Sequence, residues 1–156
     1  MDEIVGAKAE ALIAAMLAQP ETTRFETKRV LGKMAGKALE TICAFANMAG
    51  GTLALGLEDP GKASGADRLF GLDENPEAVD ELRRKTLTHL SPAVEGLRWA
   101  RVACRLCDGR DGHVLLLAVP QSPKVHSILD DGTWTRLDAS NREMSAAEIT
   151  ELSYRR

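Results

Sequence analysis

Helical periodicity is the clearest pattern along the chain. Four stretches place apolar side chains at steps of three and four residues with polar residues between them, which is the spacing of an amphipathic helix. Pro20 ends the first stretch and the glycines at 50–51 end the second, while Ser145 and Glu148 have the spacing of a capping box at the start of the last. The predicted helices cover residues 3–18, 33–48 and 76–90, and a fourth begins near Ser145.

Strands are predicted between these helices. Residues 23–28 alternate in polarity, whereas residues 52–57 are almost all apolar, as in a strand that is buried on both faces. Two further strands, at about 97–106 and 113–119, flank a turn of Gly and Asp residues, and a short strand is predicted at 133–137. This mixture predicts an α+β fold, in which a mixed sheet with hairpin strands is packed by three to four helices. We expect an N-terminal helix within residues 1–19, followed by one compact unit over residues 20–156.

Composition and charge narrow the class of protein. The chain has 156 residues, of which 20 are Lys or Arg and 23 are Asp or Glu, so its net charge is -3. This balance disfavours strong bulk attraction to nucleic acid but is compatible with a local basic face. No apolar run approaches the ~20 residues of a membrane span, the first residues are acidic, and three cysteines are too few for a disulfide framework. We therefore expect a cytoplasmic protein without membrane association.

Two short motifs suggest a chemistry that their context disfavours. Residues 56–62 fit the Gly-x4-Gly-Lys skeleton of a phosphate-binding loop, but Ala63 stands where a hydroxyl would hold Mg²⁺. An ordinary turn is the expected structure there. Cys104 and Cys107 are spaced as in zinc and redox motifs, yet they would point to opposite faces of a strand and lack two further ligands at a common spacing. Core packing is therefore expected for Cys104.

Three acidic residues lie at the ends of predicted strands. Glu21 and Glu26 bracket the start of the first strand, and Asp59 closes the buried strand that follows the second helix. If these strand ends converge, the three carboxylates would bind a hard divalent cation, which can activate water for phosphodiester cleavage. In the alternative, Glu21 is a solvated loop residue, Glu26 pairs with a nearby basic residue, and Asp59 belongs to a turn. Spacing alone favours this alternative.

Four blocks of the sequence resemble Schlafen-type AlbA_2 domains. PETTRFETK is similar to the family's Glu-x4-Glu-x-Lys segment, and ICAFANMAGGTLALGLED is similar to its helix ending in Phe-Ala-Asn, its Gly-Gly and its hydrophobic strand. VLLLAVPQSPKVH and TWTRLDASNREMSAAEI resemble the family's Val-Pro-x-Ser strand and its Ser-Asn-Arg segment with the final helix. The resemblance covers about residues 20–153. Departures are Leu57 for the usual Val, Val125 for a Pro and Trp134 for a Tyr.

The resemblance implies an α+β fold that binds nucleic acid, either DNA or RNA. In eukaryotic Schlafen relatives two Glu and one Asp form a metal-dependent RNA-cleaving site, and these acids fall on Glu21, Glu26 and Asp59 of this chain. The implied metal is Mg²⁺ or Mn²⁺, no organic cofactor is expected, and Lys28 would steady the scissile phosphate. The candidate nucleic-acid contacts are Arg24, Lys33, Lys37 and Asn47, with the family-matched arginines Arg136 and Arg142.

A function without catalysis remains open beside these. Some bacterial relatives are DNA-binding or ATP-binding regulators, and this chain could likewise be a regulatory or interaction module, in the manner of a transcriptional regulator, alone or as a homodimer. A nucleotide-sensing version of that module would use the turn at Gly61 and Lys62.

Overall fold

A computed structural model describes residues 1–156, which form four α-helices and nine short strands. The helices are α1 (Gly6–Ala18), α2 (Met34–Asn47), α3 (Pro76–Thr88) and α4 (Ala146–Arg155), and one 3₁₀ turn covers Gly65–Arg68. The strands are β1 (Asp2–Ile4), β2 (Phe25–Lys28), β3 (Gly51–Leu55), β4 (Leu90–Ser91), β5 (Arg98–Arg105), β6 (Asp111–Val119), β7 (Ser127–Ile128), β8 (Trp134–Leu137) and β9 (Ser140–Glu143).

A five-stranded sheet organises the fold, with the strand order β1–β5–β6–β3–β2. Strand β1 pairs in parallel with β5, and β2 pairs in parallel with β3, whereas β6 is antiparallel to both of its neighbours. The sheet is therefore mixed, and β2 lies at one of its edges. Two small ribbons, β4–β7 and β8–β9, lie outside this sheet.

Side chains that alternate along the central strands feed two hydrophobic cores. Leu53 and Leu55 of β3 join Leu115 and Leu117 of β6 in the larger core, which they share with α2 and α3. Ala54 points to the opposite face and packs in a smaller core with α1. Because helices cover both faces of the sheet, its central strands are apolar on both sides, which explains the continuous apolar run of β3.

The α+β class, the mixed sheet and the four helices are confirmed, but the predicted boundaries are wrong in places. The helix predicted over residues 3–18 is too long at its start, because residues 2–4 form β1 along β5 and Gly6 begins the helix with a φ of 68°. The short strands β4, β7 and β9 are not predicted by the sequence pattern. None of the four helices combines the length and the apolar character needed to cross a bilayer.

Candidate nucleic-acid interface

Strand β2 brings Glu26 to the face of the sheet that α2 covers. Glu26 lies in register with Leu53, so both side chains point to the same side of the sheet. Its carboxylate has two cationic neighbours, with Lys28 Nζ at 3.1 Å and Arg136 Nη2 at 3.6 Å. Glu26 is only 8% exposed, and a carboxylate this buried requires such compensation. One of the two sequence interpretations, an ion pair between Glu26 and a basic neighbour, is therefore present in the structure.

Glu21 lies just before β2 and bonds to the outer edge of that strand. Its Oε2 accepts a hydrogen bond from the backbone N–H of Thr27 at 2.9 Å and a longer one from Thr27 Oγ1 at 3.4 Å. Burial raises the pKa of Glu21, and the nearby Glu26 and the charge of Asp59 raise it further, against the opposing effect of the Thr27 N–H. Glu21 is therefore a carboxyl group that is costly to ionise, next to a second carboxylate.

Asp59 belongs to a tight turn after β3. Its Oδ1 accepts a hydrogen bond from the N–H of Gly61 at 2.8 Å, and its own N–H donates to Glu58 Oε1 at 2.8 Å. The hydrogen bond from Asp59 and an ion pair with Arg29 at 3.0 Å hold the pKa of Glu58 below its ordinary value. The carboxylate of Asp59 therefore stabilises the turn in which the residue lies.

The three acids meet only in part, which limits how well they fit a metal ion. Glu26 raises the pKa of Glu21 through both its side chain and its charge, whereas Asp59 raises that pKa through its charge alone. No group of three or more His, Cys, Asp or Glu side chains is close enough to hold a metal ion. Carboxylate oxygens are the ligands that Mg²⁺ and Mn²⁺ accept. Glu21 and Glu26 therefore supply two carboxylates of the kind such a site needs, and Asp59 could join them only by leaving its turn.

Basic side chains surround a shallow surface depression where β2 leads into α2. The depression has a volume of about 330 Å³, and its hydrophobic lining is Leu31 and Met34. Lys33 and Lys37 are both exposed; Lys33 is the residue just before α2, and Lys37 lies in the first turn of that helix. We call this feature the basic depression; its charged lining residues are Lys28, Arg29, Lys33 and Lys37.

The four cations of the basic depression are not equally free. Arg29 is tied to Glu74 by bonds of 2.7–3.1 Å and to Glu58 at 3.0 Å, and its guanidinium lies 3.6 Å from the centroid of the Phe70 ring. Hydrogen bonds to Glu74 above all raise the pKa of Arg29. Lys33 and Lys37 form no ion pair, so they are the cations of this surface that a ligand can engage without breaking an existing bond.

Two of the predicted contacts are buried and hydrogen-bonded within the fold. Asn47 is fully buried: its Nδ2 donates to the carbonyl oxygens of His126 and Trp134, both at 2.9 Å, and its Oδ1 accepts from the N–H of His126 at 2.7 Å. No atom of Asn47 is left for a phosphate, so this expectation is corrected. Arg136 is also buried, and its guanidinium donates to Asn141 Oδ1 at 2.9 Å and to the carbonyl oxygen of Thr22 at 2.7 Å.

The other two arginines named from the sequence lie at the surface. Arg24 is exposed at the start of β2 and forms no ion pair. Arg142 is engaged with Glu148 through two bonds, at 2.6 Å and 2.9 Å, beside helix α4. Arg24 is therefore free to contact a ligand, whereas Arg142 must first break its ion pair with Glu148.

Arg68 is the residue of this region that sequence reasoning missed. It is 2% exposed and has no carboxylate within 4.0 Å, yet its Nε donates to the carbonyl of Glu58 at 2.8 Å and its Nη2 to Thr27 Oγ1 at 3.2 Å. Arg68 thereby links the turn that contains Asp59 to β2, the strand to which Glu21 is hydrogen-bonded. A single arginine in a loop gives no sequence signal of such a role.

Neither the Gly-x4-Gly-Lys segment nor the pair of cysteines forms a phosphate or metal site in the structure. The segment after Lys62 forms only a 3₁₀ turn, so no α-helix presents its N-terminus to a phosphate there. Cys104 is half-buried, and burial raises the pKa of its thiol, while Cys107 is exposed. Neither cysteine belongs to a group of three metal-ligating residues.

The fold and the site together define an α+β domain in which Glu26 on the edge strand β2 and Glu21 just before that strand accompany an exposed basic depression. The family model described as "Schlafen, AlbA_2" matches residues 21–145, which is most of the chain, and the chain belongs to this family. Membership of this family suggests nucleic-acid interaction in general terms.

Among solved structures, the chain is similar to the DIP2311 protein from Corynebacterium diphtheriae. The crystal structure of that protein superposes with a TM-score of 0.59 at 22% sequence identity, and the match covers 94% of this chain and 27% of that one. At this identity the likeness shows the fold alone, and this chain spans about a quarter of that protein's length. No curated protein matches the chain.

Proposed function

We propose that this domain binds nucleic acid through the basic depression. The observation that carries this proposal is that Lys33 and Lys37 are exposed, free of ion pairs and joined by Lys28 and Arg29 around one depression. Both lysines lie at the start of α2 and line the same depression, which suits contacts to nearby phosphates of one strand. Arg24, in the turn before β2, is a further exposed cation at the other end of that strand. The family's general association with nucleic acid supports the same conclusion.

Local charge is what makes the proposal compatible with a net charge of -3. Attraction over long distances is weak for such a protein, so affinity must come from the few lysines that displace counterions from the phosphates they contact. Binding is therefore expected to be modest in strength and strongly dependent on salt.

A paired substitution tests the basic depression. The variant Lys33→Gln/Lys37→Gln keeps side-chain length but removes two charges, and Lys8→Gln/Lys62→Gln removes two exposed lysines elsewhere. With fluorescently labelled single-stranded RNA and DNA at low salt, the first variant should bind at least ~10-fold more weakly than the wild type, because two phosphate contacts are lost. Equal loss in both variants would show that only net charge matters and would refute the assigned surface.

We propose metal-dependent RNA cleavage as a second candidate function, because Glu26 acts on the pKa of Glu21 and forms an ion pair with Lys28. When bound, Mg²⁺ or Mn²⁺ would supply a polarised phosphate oxygen and an activated water. Glu21 and Glu26 would hold the ion, with Asp59 as the third ligand once its bond to Gly61 is released. The ammonium of Lys28, 3.1 Å from Glu26, would stabilise negative charge on the scissile phosphate.

Cleavage and ion binding are tested separately. Labelled structured RNA is incubated with Mn²⁺ or with EDTA, beside Asp59→Ala, and Mn²⁺ binding to each protein is followed by calorimetry. The proposal expects cleavage that needs Mn²⁺ and is lost in Asp59→Ala, together with weaker Mn²⁺ binding by that variant. Cleavage that survives the substitution, or intact RNA with wild-type protein, would remove the catalytic proposal and leave nucleic-acid binding untouched.

A further inference from the structure

A second, separate cavity lies at the other end of β2. It has a volume of about 340 Å³ and is enclosed by the C-terminal turn of α4, the end of α2 and the segment before β2. No Asp or Glu lines it. Its polar and charged lining includes Thr23, Gln121, Arg136, Arg155 and Arg156, and Ala49 lies at its wall.

The cavity contains a buried cation with an unused donor. The side chain of Arg136 is 1% exposed, and both of its terminal nitrogens are hydrogen-bonded, but its Nε has no partner. Its one carboxylate neighbour, Glu26, lies 3.6 Å away, which is longer than a hydrogen bond. A buried donor without an acceptor is unfavourable, so the positive charge of Arg136 is only partly compensated beside the cavity.

Two further arginines add positive charge to the same cavity. Arg156 donates through Nη2 to the carbonyl of Asn47, and its Nε is likewise buried and unpartnered. Arg155 pairs with Glu151 at 2.5 Å on the outer side of α4, and its side chain stays largely exposed. Three arginines therefore line the cavity, and none of its lining residues is Asp or Glu.

We propose that this cavity binds a phosphate group. Guanidinium groups present planar, forked N–H donors that match phosphate oxygens, and they remain charged at every physiological pH. The volume is in the range of small-ligand sites, so it can admit a phosphate together with part of the sugar to which it is attached. The source of the phosphate is either free phosphate or the terminal phosphate of a nucleic acid.

The position of the cavity connects it to the proposed function. Thr23 at the cavity lies in the turn just before β2, and Lys28 at the basic depression is the last residue of that strand, so the two features lie toward opposite ends of β2. A single strand of nucleic acid that follows β2 would reach both features. Only the nucleic-acid source of the phosphate rests on the proposed function; the cavity itself does not.

The test places a negative charge in the cavity without changing an arginine. Gln121→Glu is nearly isosteric and adds a carboxylate to the lining of the cavity. Ala49→Glu adds one from a different part of the chain, just after α2. Arg105→Gln, on the exposed hairpin, is the control with the same change in net charge. Thermal melting first checks that all variants fold as the wild type does.

Inorganic phosphate is the first probe, titrated by calorimetry. Wild type and Arg105→Gln should bind phosphate alike, and Gln121→Glu and Ala49→Glu should bind at least tenfold more weakly. Absence of phosphate binding to the wild type, or equal binding by all four proteins, would overturn the proposal.

Labelled oligonucleotides with a 5′-phosphate, a 3′-phosphate or hydroxyl ends then identify the source. A preference for one phosphorylated end that Gln121→Glu abolishes assigns the cavity to a nucleic-acid terminus. No end preference, with phosphate binding intact, assigns it to free phosphate. Because Lys33 and Lys37 are unchanged in these variants, hydroxyl-ended oligonucleotides report separately on the proposed function.

Discussion

At the scale of single residues, burial separates the polar side chains that serve the fold from those that a ligand can reach. Asn47 and Lys37 lie on the same helix and both have the polarity of a phosphate contact. Asn47 is fully buried and binds three backbone groups, whereas Lys37 is exposed and unpaired. The sequence shows the residue type but not how deeply the side chain is buried. Burial decides whether a polar side chain stabilises the fold or can contact a ligand.

Asn47→Ala should lower the free energy of unfolding by about 3 kcal/mol. The substitution removes three hydrogen bonds and leaves the buried carbonyl and N–H groups of His126 without partners. Lys37→Ala should change the same quantity by less than about 0.5 kcal/mol, since it is a surface substitution. Urea denaturation of both variants measures this contrast, and similar values would contradict the structural role given to Asn47.

Glu21 predicts a pH dependence of stability. Its pKa is raised in the folded protein from an ordinary 4.5, so the folded state binds its proton more tightly than the unfolded state. The free energy of unfolding should therefore fall as the pH rises above 4.5 toward the raised pKa, where the buried carboxyl must ionise. Glu21→Gln keeps an oxygen acceptor for Thr27 and lacks this loss, so its stability relative to the wild type should increase between pH 4 and pH 7. Parallel stability curves for the two proteins would contradict it.

At the scale of elements, the long periodic segments could be predicted and the short ones could not. Helix α2 is predicted within a residue at each end because its buried stripe repeats over four turns, and the apolar run of β3 signals coverage on both faces. Strands β1 and β4 hold three and two residues, too few to show a period, and they exist because a neighbouring strand pairs with them. Sequence pattern contains no information on that pairing.

The candidate site follows the same division. The acids Glu21, Glu26 and Asp59 could be chosen from the sequence, since they flank predicted strands. Their hydrogen-bond partners could not, because Arg136 comes from β8, far along the chain, and reaches Glu26 only once the β8–β9 ribbon packs on α2. Arg68 was missed for the same reason.

Helix α4 is predicted to be the least protected helix of the fold. It has no buried residue and depends on its capping box, in which Ser145 and Glu148 bond reciprocally. Hydrogen bonds from Arg142 and from Ser145 lower the pKa of Glu148 to about 2, so this cap stays ionised in mild acid. Ser145→Ala should cost about 1 kcal/mol of helix stability and make the amides of α4 exchange ~5-fold faster, with those of α2 unchanged. Exchange rates in α4 that do not change would contradict the role of the cap.

At the scale of the whole molecule, charge is segregated rather than abundant. The exposed lysines of the basic depression and the three arginines of the second cavity lie at opposite ends of β2, in a chain whose net charge is -3. The two proposed binding surfaces therefore lie along one edge of the sheet, so nucleic-acid binding is expected at that edge and not over the whole surface.

The salt dependence of nucleic-acid binding tests this central claim most directly. The logarithm of the binding constant for single-stranded RNA is measured against the logarithm of salt concentration, for the wild type and for Lys33→Gln/Lys37→Gln. Loss of two phosphate contacts should reduce the magnitude of the slope by about 1.4, at ~0.7 per contact. Two results would contradict the assignment of the basic depression as a nucleic-acid interface. One is the same slope for both proteins, and the other is no binding by the wild type at a low salt concentration of about 50 mM.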